Sequence, residues 1–366
     1  EIRGKGKDWL PRHYTMMITE MFQDGVTKCL VGTRGLLGEG WDASRINVLV
    51  DLTTVTTSMS INQLRGRSFR LDKHWPEKVA NNWDIVCLAD EFTKGFDDYL
   101  RFKRKHKQLY GVCDDGAIEK GVGHVHAAFT EAEPEGVSET MEIFNEEMLM
   151  RARNRGRARE LWGIGQPFNA VPREAIEIKG SFGEGFPPAN RLGLVAWSDE
   201  SLIQAIGDAV ACSLQALGLI QFDAKVGGGS RGGGWMRAYL ENASEEESEI
   251  FAEAMQEILG PLDNPRYVIP REVKVVSETW LSEMLPKVIA KYFRRSENIL
   301  SMYHVVPSKL CRNLEDAKVF EQQWNWKVSP GEVMYGHSKK GKEWVSEIKM
   351  AGLAPKSSVH RKSVFT

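Results

Sequence analysis

The sequence predicts an α/β chain whose first third is built on a parallel sheet and whose last half is α+β. Three observations carry this. Residues 28–71 read as strand, glycine-rich loop, strand, helix, and the runs 29–31 and 48–52 are short, apolar and β-branched, as strands buried in parallel sheets are. Residues 167–188 are rich in glycine and proline and mark a boundary. After Trp235 the pattern turns to alternating strands and helices. The expected domains are therefore 1–112, a helical and irregular linker with an arginine-rich helix over 113–190, and 191–366.

With 366 residues the chain has room for two or three cores. Its 48 Lys and Arg against 50 Asp and Glu leave a net charge of −2, so no global basic field draws nucleic acid and any such surface is local. The five cysteines (Cys29, Cys87, Cys113, Cys212 and Cys311) are far apart, with no C-x-x-C pair, and read as reduced thiols of a cytoplasmic protein. Neither a signal peptide nor an apolar run long enough to span a membrane is read.

In order, residues 13–22 carry apolar positions at helical spacing and stop at Asp24-Gly25. The strand at 29–31 runs into Gly32-Thr33-Arg34-Gly35 and then Gly38-Glu39-Gly40-Trp41-Asp42. The strand at 48–52 runs into a threonine-rich turn, and Ser58 is placed to cap the next helix. That helix carries Gln63-Leu64-Arg65-Gly66-Arg67-Ser68-Phe69-Arg70. Loops past the carboxyl ends of parallel strands are where α/β sheets bind ligands. Arg67 and Arg70 are three apart and share a helix face with Gln63 one turn earlier. Planar guanidinium groups so placed can clamp a transferring phosphoryl group. Taken alone, they would equally well solvate a helix face.

The segment GTRGLLGEGWD resembles motif V of superfamily 2 (DEAD/DEAH-like) helicases and translocases, and QLRGRSFR resembles their motif VI, Q-x-x-G-R-x-x-R. Both occur in the family's order with a strand between them. The resemblance covers roughly the first third of the chain and implies the second of two RecA-like domains, truncated at its start. It implies that Arg67 and Arg70 are arginine fingers and that Gln63 is a polar residue on the nucleotide side. Gly40, Asp42 and Gly66 are then also placed toward the nucleotide, Asp42 as the acid that couples it to the bound strand. Gly66 keeps a close backbone approach open. Gly32, Thr33 and Arg34 would hold a nucleic-acid phosphate. Many relatives have a proline soon after the motif V acid, where this chain has Ala43-Ser44. No G-x-x-x-x-G-K-[ST] loop occurs, so ATP and Mg2+ are expected to be bound mainly by a first RecA-like domain outside these residues. Asp90-Glu91-Phe92-Thr93 imitates a D-E-x-x box in the wrong order and reads as a turn.

A strand is expected at 83–89 and a helix at 93–108, with Phe96, Tyr99, Leu100 and Phe102 inward and a basic outer face. Residues 111–136 read as irregular. Within them His124-Val125-His126 has the spacing of a metal pair but no third ligand nearby. A long helix capped by Ser138 is expected over 138–161, with Arg151, Arg155 and Arg159 as one stripe for a nucleic-acid backbone, or as cations suiting a helix end.

Beyond the boundary, helices are expected at 198–217, 244–259, 280–293, 308–326 and 339–351. Strands are expected at 236–240, 266–276, 303–306 and 332–335, and a flexible glycine arm at 227–234. Two β-α-β units with helices on one face predict a ferredoxin-like accessory domain, with protein docking as one of its roles. No cluster of Asp, Glu and Lys suggestive of a metal-dependent nuclease is read there. The function expected is that of a C-terminal portion of an ATP-dependent helicase or translocase, acting on nucleic acid, DNA ahead of RNA. The alternative is a non-catalytic nucleic-acid- or protein-binding module derived from a helicase.

Overall fold

The structure, a computed structural model, describes residues 5–35, 37, 41–167, 169–180, 197–277 and 295–366. The chain forms two compact units. The first comprises residues up to 111 together with 120–125 and 129–166, and the second 112–119, 126–128 and 167–366. The segment expected as a linker, 113–190, is thus shared between them.

In the first unit, α1 (Pro11–Gln23) opens with proline, whose fixed φ suits a first turn. Strands β1 (Val48–Asp51) and β2 (Asn81–Asp84) pair in parallel, from Val48 opposite Asn81 to Asp51 opposite Asp84. Between them in sequence lies α2 (Ser58–Ser68), which turns Ile61 and Ser68 inward. Its N-cap is Thr57, not Ser58, and no side chain caps it. Residues 29–31 do not form the expected strand. A strand needs a neighbour to take its backbone hydrogen bonds, and none is assigned to these residues. The expected strand at 83–89 begins earlier and ends at Asp84, where its partner β1 also ends.

Helix α3 (Asp97–His106) starts later than expected because residues 92–95 close a turn, Gly95 N donating to the Phe92 carbonyl at 2.9 Å. Tyr99 and Phe102 face inward with Phe129 and Val137, whereas Leu100 faces out. The expected helix 138–161 is two helices, α4 (Pro134–Arg153) and α5 (Arg155–Leu161). Asn154 leaves helical geometry between them at φ −86 and ψ 69, and its side chain caps α5 by accepting from Arg157 N. Glu133, not Ser138, stands at the start of α4.

The region read as irregular contains a hairpin, β3 (Tyr110–Val112) and β4 (Ile118–Lys120). Its turn closes through Cys113 N to the Ala117 carbonyl at 2.8 Å, with Gly116 at φ 93. The remaining strands are β5 (Arg173–Lys179), β6 (Lys225–Arg231), β7 (Trp235–Glu241), β8 (Tyr267–Ser277), β9 (Arg295–Val305), β10 (Met334–Tyr335) and β11 (Ser358–Phe365). The helices among them are α6 (Asp199–Ala216), α7 (Glu245–Leu259), α8 (Leu314–Lys327) and α9 (Lys339–Met350). Six strands form one sheet in the order β3-β4-β11-β5-β7-β6, and three form another in the order β10-β8-β9. The pairs of β11 with β4 and β5, of β7 with β5 and β6, and of β8 with β9 and β10 are all antiparallel.

Ile176, Ile178, Met236, Ala238 and Leu240 turn one sheet face to α6 and α7, where they pack with Ile206, Val210, Phe251 and Met255. Capping boxes at Ser198/Ser201 and Ser244/Glu247 start those two helices.

The expected single ferredoxin-like sheet is therefore replaced by two antiparallel sheets. Two central strands of the larger one, β5 and β11, were not expected. The glycine arm is the strand β6 followed by one helical turn. The helix expected at 308–326 is a short turn, Ser308–Leu310, and then α8. The helix expected at 280–293 lies outside the described residues. Among the described residues no helix is long and apolar enough to cross a membrane.

Candidate functional site

Burial of Ile61 and Ser68 sets the rotation of α2 and leaves Gln63 and Gly66 outward, and Arg70, two residues past the helix, is exposed. A Cβ at Gly66 would meet nothing within 4 Å, so the approach to the helix there is open. The neighbouring loop is tied to α1 by Trp41 Nε1, which donates to Thr19 Oγ1 at 2.8 Å. Against this frame the structure brings together most of the residues singled out from motifs V and VI. Arg34 Nη2 donates to Ser60 Oγ at 2.8 Å, on α2. Arg70 forms an ion pair with Asp42, and its Nη1 points to the Trp41 carbonyl at 3.4 Å. Arg67 Nε donates to the Gln63 carbonyl at 3.3 Å, while its Nη1 is buried with no partner.

Burial, followed by the charges of Arg70 and Arg34, pushes the Arg67 pKa below its ordinary value. Three guanidinium groups thus share a site with one carboxylate. Gly32 and Thr33 lie in the same exposed loop as Arg34, where the Thr33 carbonyl accepts from Leu37 N at 3.1 Å. Gly40 lies outside the described residues.

Behind α2 lies a charge cluster that the sequence reading missed. Asp51 and Asp84 end β1 and β2, so the parallel register sets them side by side. Lys105 from α3 pairs with both. Arg65, on the inner side of α2, also pairs with Asp84, and His106 Nε2 lies 3.1 Å from it. Burial disfavours the Asp84 carboxylate, yet His106, Arg65 and Lys105 outweigh it and hold its pKa well below the usual range. Burial likewise pushes the His106 pKa down. His106 also packs against the rings of Phe102 and His124, at 4.7 and 5.1 Å between centroids. The sequence carried no signal for it, because the expected strands 48–52 and 83–89 place neither aspartate at a strand end.

Arg151, Arg155 and Arg159 fall on two helices instead of forming one stripe. Each reaches a main-chain carbonyl: Arg151 that of Val125, Arg155 that of Val79 at 3.0 Å, and Arg159 that of Pro76 at 3.4 Å. Arg159 also pairs with Glu77 at 3.4 Å. His124 Nδ1 donates to the Gly121 carbonyl at 2.6 Å, within the first unit. His126, in the second unit, accepts from Ala128 N through Nδ1 at 3.1 Å. Among the described residues no group of three His, Cys, Asp or Glu is placed to hold a metal ion.

The second unit does contain a cluster of acids and bases, on the sheet face opposite the helices. Arg231 donates to Asp114, Glu119 and Glu177, and Arg237 to Asp115, Glu119 and Glu177. Lys362 Nζ donates to Glu119 at 2.9 Å. Glu177, Arg231 and Arg237 are fully buried. Burial opposes ionisation of Glu119, but Lys362, Arg237 and Arg231 hold its pKa below the ordinary range. Guanidinium groups occupy the space between these carboxylates, so the cluster braces the 113–117 turn to the sheet. Comparison with family models, with characterised proteins and with solved structures returned no match.

Proposed function

We propose that the chain is the C-terminal portion of an ATP-dependent nucleic-acid helicase or translocase, contributing arginine fingers and part of the strand path. The observation that carries this is the buried, unpartnered Nη1 of Arg67 beside Arg34 and Arg70, on the very loop and helix that resemble motifs V and VI. A phosphate oxygen supplies what that nitrogen lacks, because a charged group left without a partner is costly and a guanidinium–phosphate pair is strong. Arg67 and Arg70 would stabilise charge on the transferring phosphoryl group, with Gln63 alongside. Arg34, with Gly32 and Thr33, would hold the nucleic-acid backbone.

The reading places this unit as a second RecA-like domain, in the cytoplasm. ATP and Mg2+ would be held mainly by a first RecA-like domain outside these residues. Mg2+, when bound there, would offset charge on the phosphates. DNA is expected ahead of RNA. A non-catalytic binding module is the second reading, favoured by the engagement of Arg70 and Arg34 within the chain itself.

Fluorescence anisotropy of the 366-residue chain with single- and double-stranded DNA and RNA, across a salt series, tests the strand path. Binding that weakens with salt is expected. Arg34→Ala should lower the logarithmic salt slope on single strands by about 0.7, the value for one phosphate contact. Binding at low salt that ignores Arg34, or no binding, removes this loop from the path. The Arg155→Ala variant then separates an anchor of the Val79 carbonyl, which changes stability alone, from a strand contact, which also changes the slope.

A further inference from the structure

Arg67, in the last turn of α2, and Arg70, two residues past its end, are not equivalent. Arg67 presents an unpartnered nitrogen, whereas Arg70 already has an anion, the carboxylate of Asp42. We infer that Asp42 is the resident counter-ion of Arg70, holding the place that a phosphate oxygen takes when a polyphosphate enters, rather than a group that contacts the nucleotide. This rests on the reading of Arg34, Arg67 and Arg70 as a polyphosphate site.

Three features support it. The loop bearing Asp42 is fixed at its neighbour Trp41, which bonds to Thr19 on α1 and offers its carbonyl to Arg70, so Arg70 is pre-set toward the loop. Next, the pair is exchangeable: the side chains of Asp42 and Arg70 are 70% and 42% exposed, and pairs so exposed are weak. Asp42 can swing into water without leaving a buried vacancy. Finally, with Asp42 in place the site already holds one negative charge, so an arriving anion must compete for Arg70 and also meet the carboxylate.

The sign of the effect distinguishes this from the role of a ligand-binding acid. Removing an acid that holds a nucleotide weakens binding, whereas removing a resident counter-ion strengthens it.

Isothermal calorimetry of the 366-residue chain with inorganic tripolyphosphate, in EDTA so that no metal bridges acid and ligand, reads that sign. Asp42→Asn should bind about two- to five-fold more tightly than the parent, the fold-change that an exposed pair is worth. Asp42→Ser should do the same, which excludes an effect peculiar to the amide. Arg67→Ala should weaken binding about ten-fold or more. Unchanged or weaker binding in both Asp42 variants, with Arg67 still required, overturns the inference and leaves the polyphosphate site standing. No binding by the parent or the Asp42 variants, or binding indifferent to Arg67, overturns both.

Discussion

His304 and Arg67 each carry a buried nitrogen without a partner, and their surroundings give the two opposite meanings. His304 is wholly enclosed, its Nδ1 donating to the Ile258 carbonyl at 2.8 Å and its ring 5.3 Å from that of Trp324. Burial, reinforced by the cation of Arg271, lowers its pKa to about 3. It is therefore neutral in the folded chain, while the unfolded chain takes up a proton at the ordinary value near 6.5. Stability from this group is complete above that pH and declines as pH falls through it, by about 2 kcal/mol at pH 5. Urea unfolding from pH 8 to pH 5 should show this slope, and His304→Gln should flatten it. An unaltered slope would place the lost stability elsewhere. His106, lowered by burial as well, contributes in the same direction. Arg67 instead is only half-buried and stands near the cations of Arg70 and Arg34, whose charge an anion would offset. It was legible in the sequence because its neighbours Gln63 and Arg70 lie within a few residues of it along the chain. The Asp84 and Glu119 clusters were not, since their partners come from 19 to 243 residues away.

Among the elements, those with their own end signals were legible. Ser244 and Glu247 close a capping box on α7. Strands β5 and β11 were hidden because charge interrupts their apolar alternation: Glu177 and Lys362 face a polar side whose compensating groups lie on other strands. The β3–β4 hairpin did carry a signal in Asp115-Gly116, a turn pair of the kind that joins adjacent strands. The pair β1 and β2 stands apart. Val48 and Val50 on β1 are exposed, and a two-stranded sheet is marginal by itself. Hydrogen exchange followed by mass spectrometry should find the amides of residues 48–51 exchanging well before those of 236–240, which lie in a covered six-stranded sheet. Equal protection would mean that β1 is shielded in solution.

For the whole molecule, near-balance of charge makes recognition a matter of local geometry, and the two units carry separate apolar cores. The larger core depends on a strand from far along the chain. β11 lies between β4 and β5 and pairs with both, although it is the last described strand in sequence. A chain ending at residue 357 should therefore expose the edges of β4 and β5 and aggregate, as open strand edges do, which light scattering would report. A monomeric 1–357 chain with intact near-ultraviolet dichroism would show that the sheet closes without it. The same placement bears on synthesis. While the ribosome is still making residues 358–365, β5, β6 and β7 can assemble, but the 113–120 hairpin has no seat. The nascent domain must wait for β11 before its charged face can close, and that interval is when a chaperone would be of most use to it.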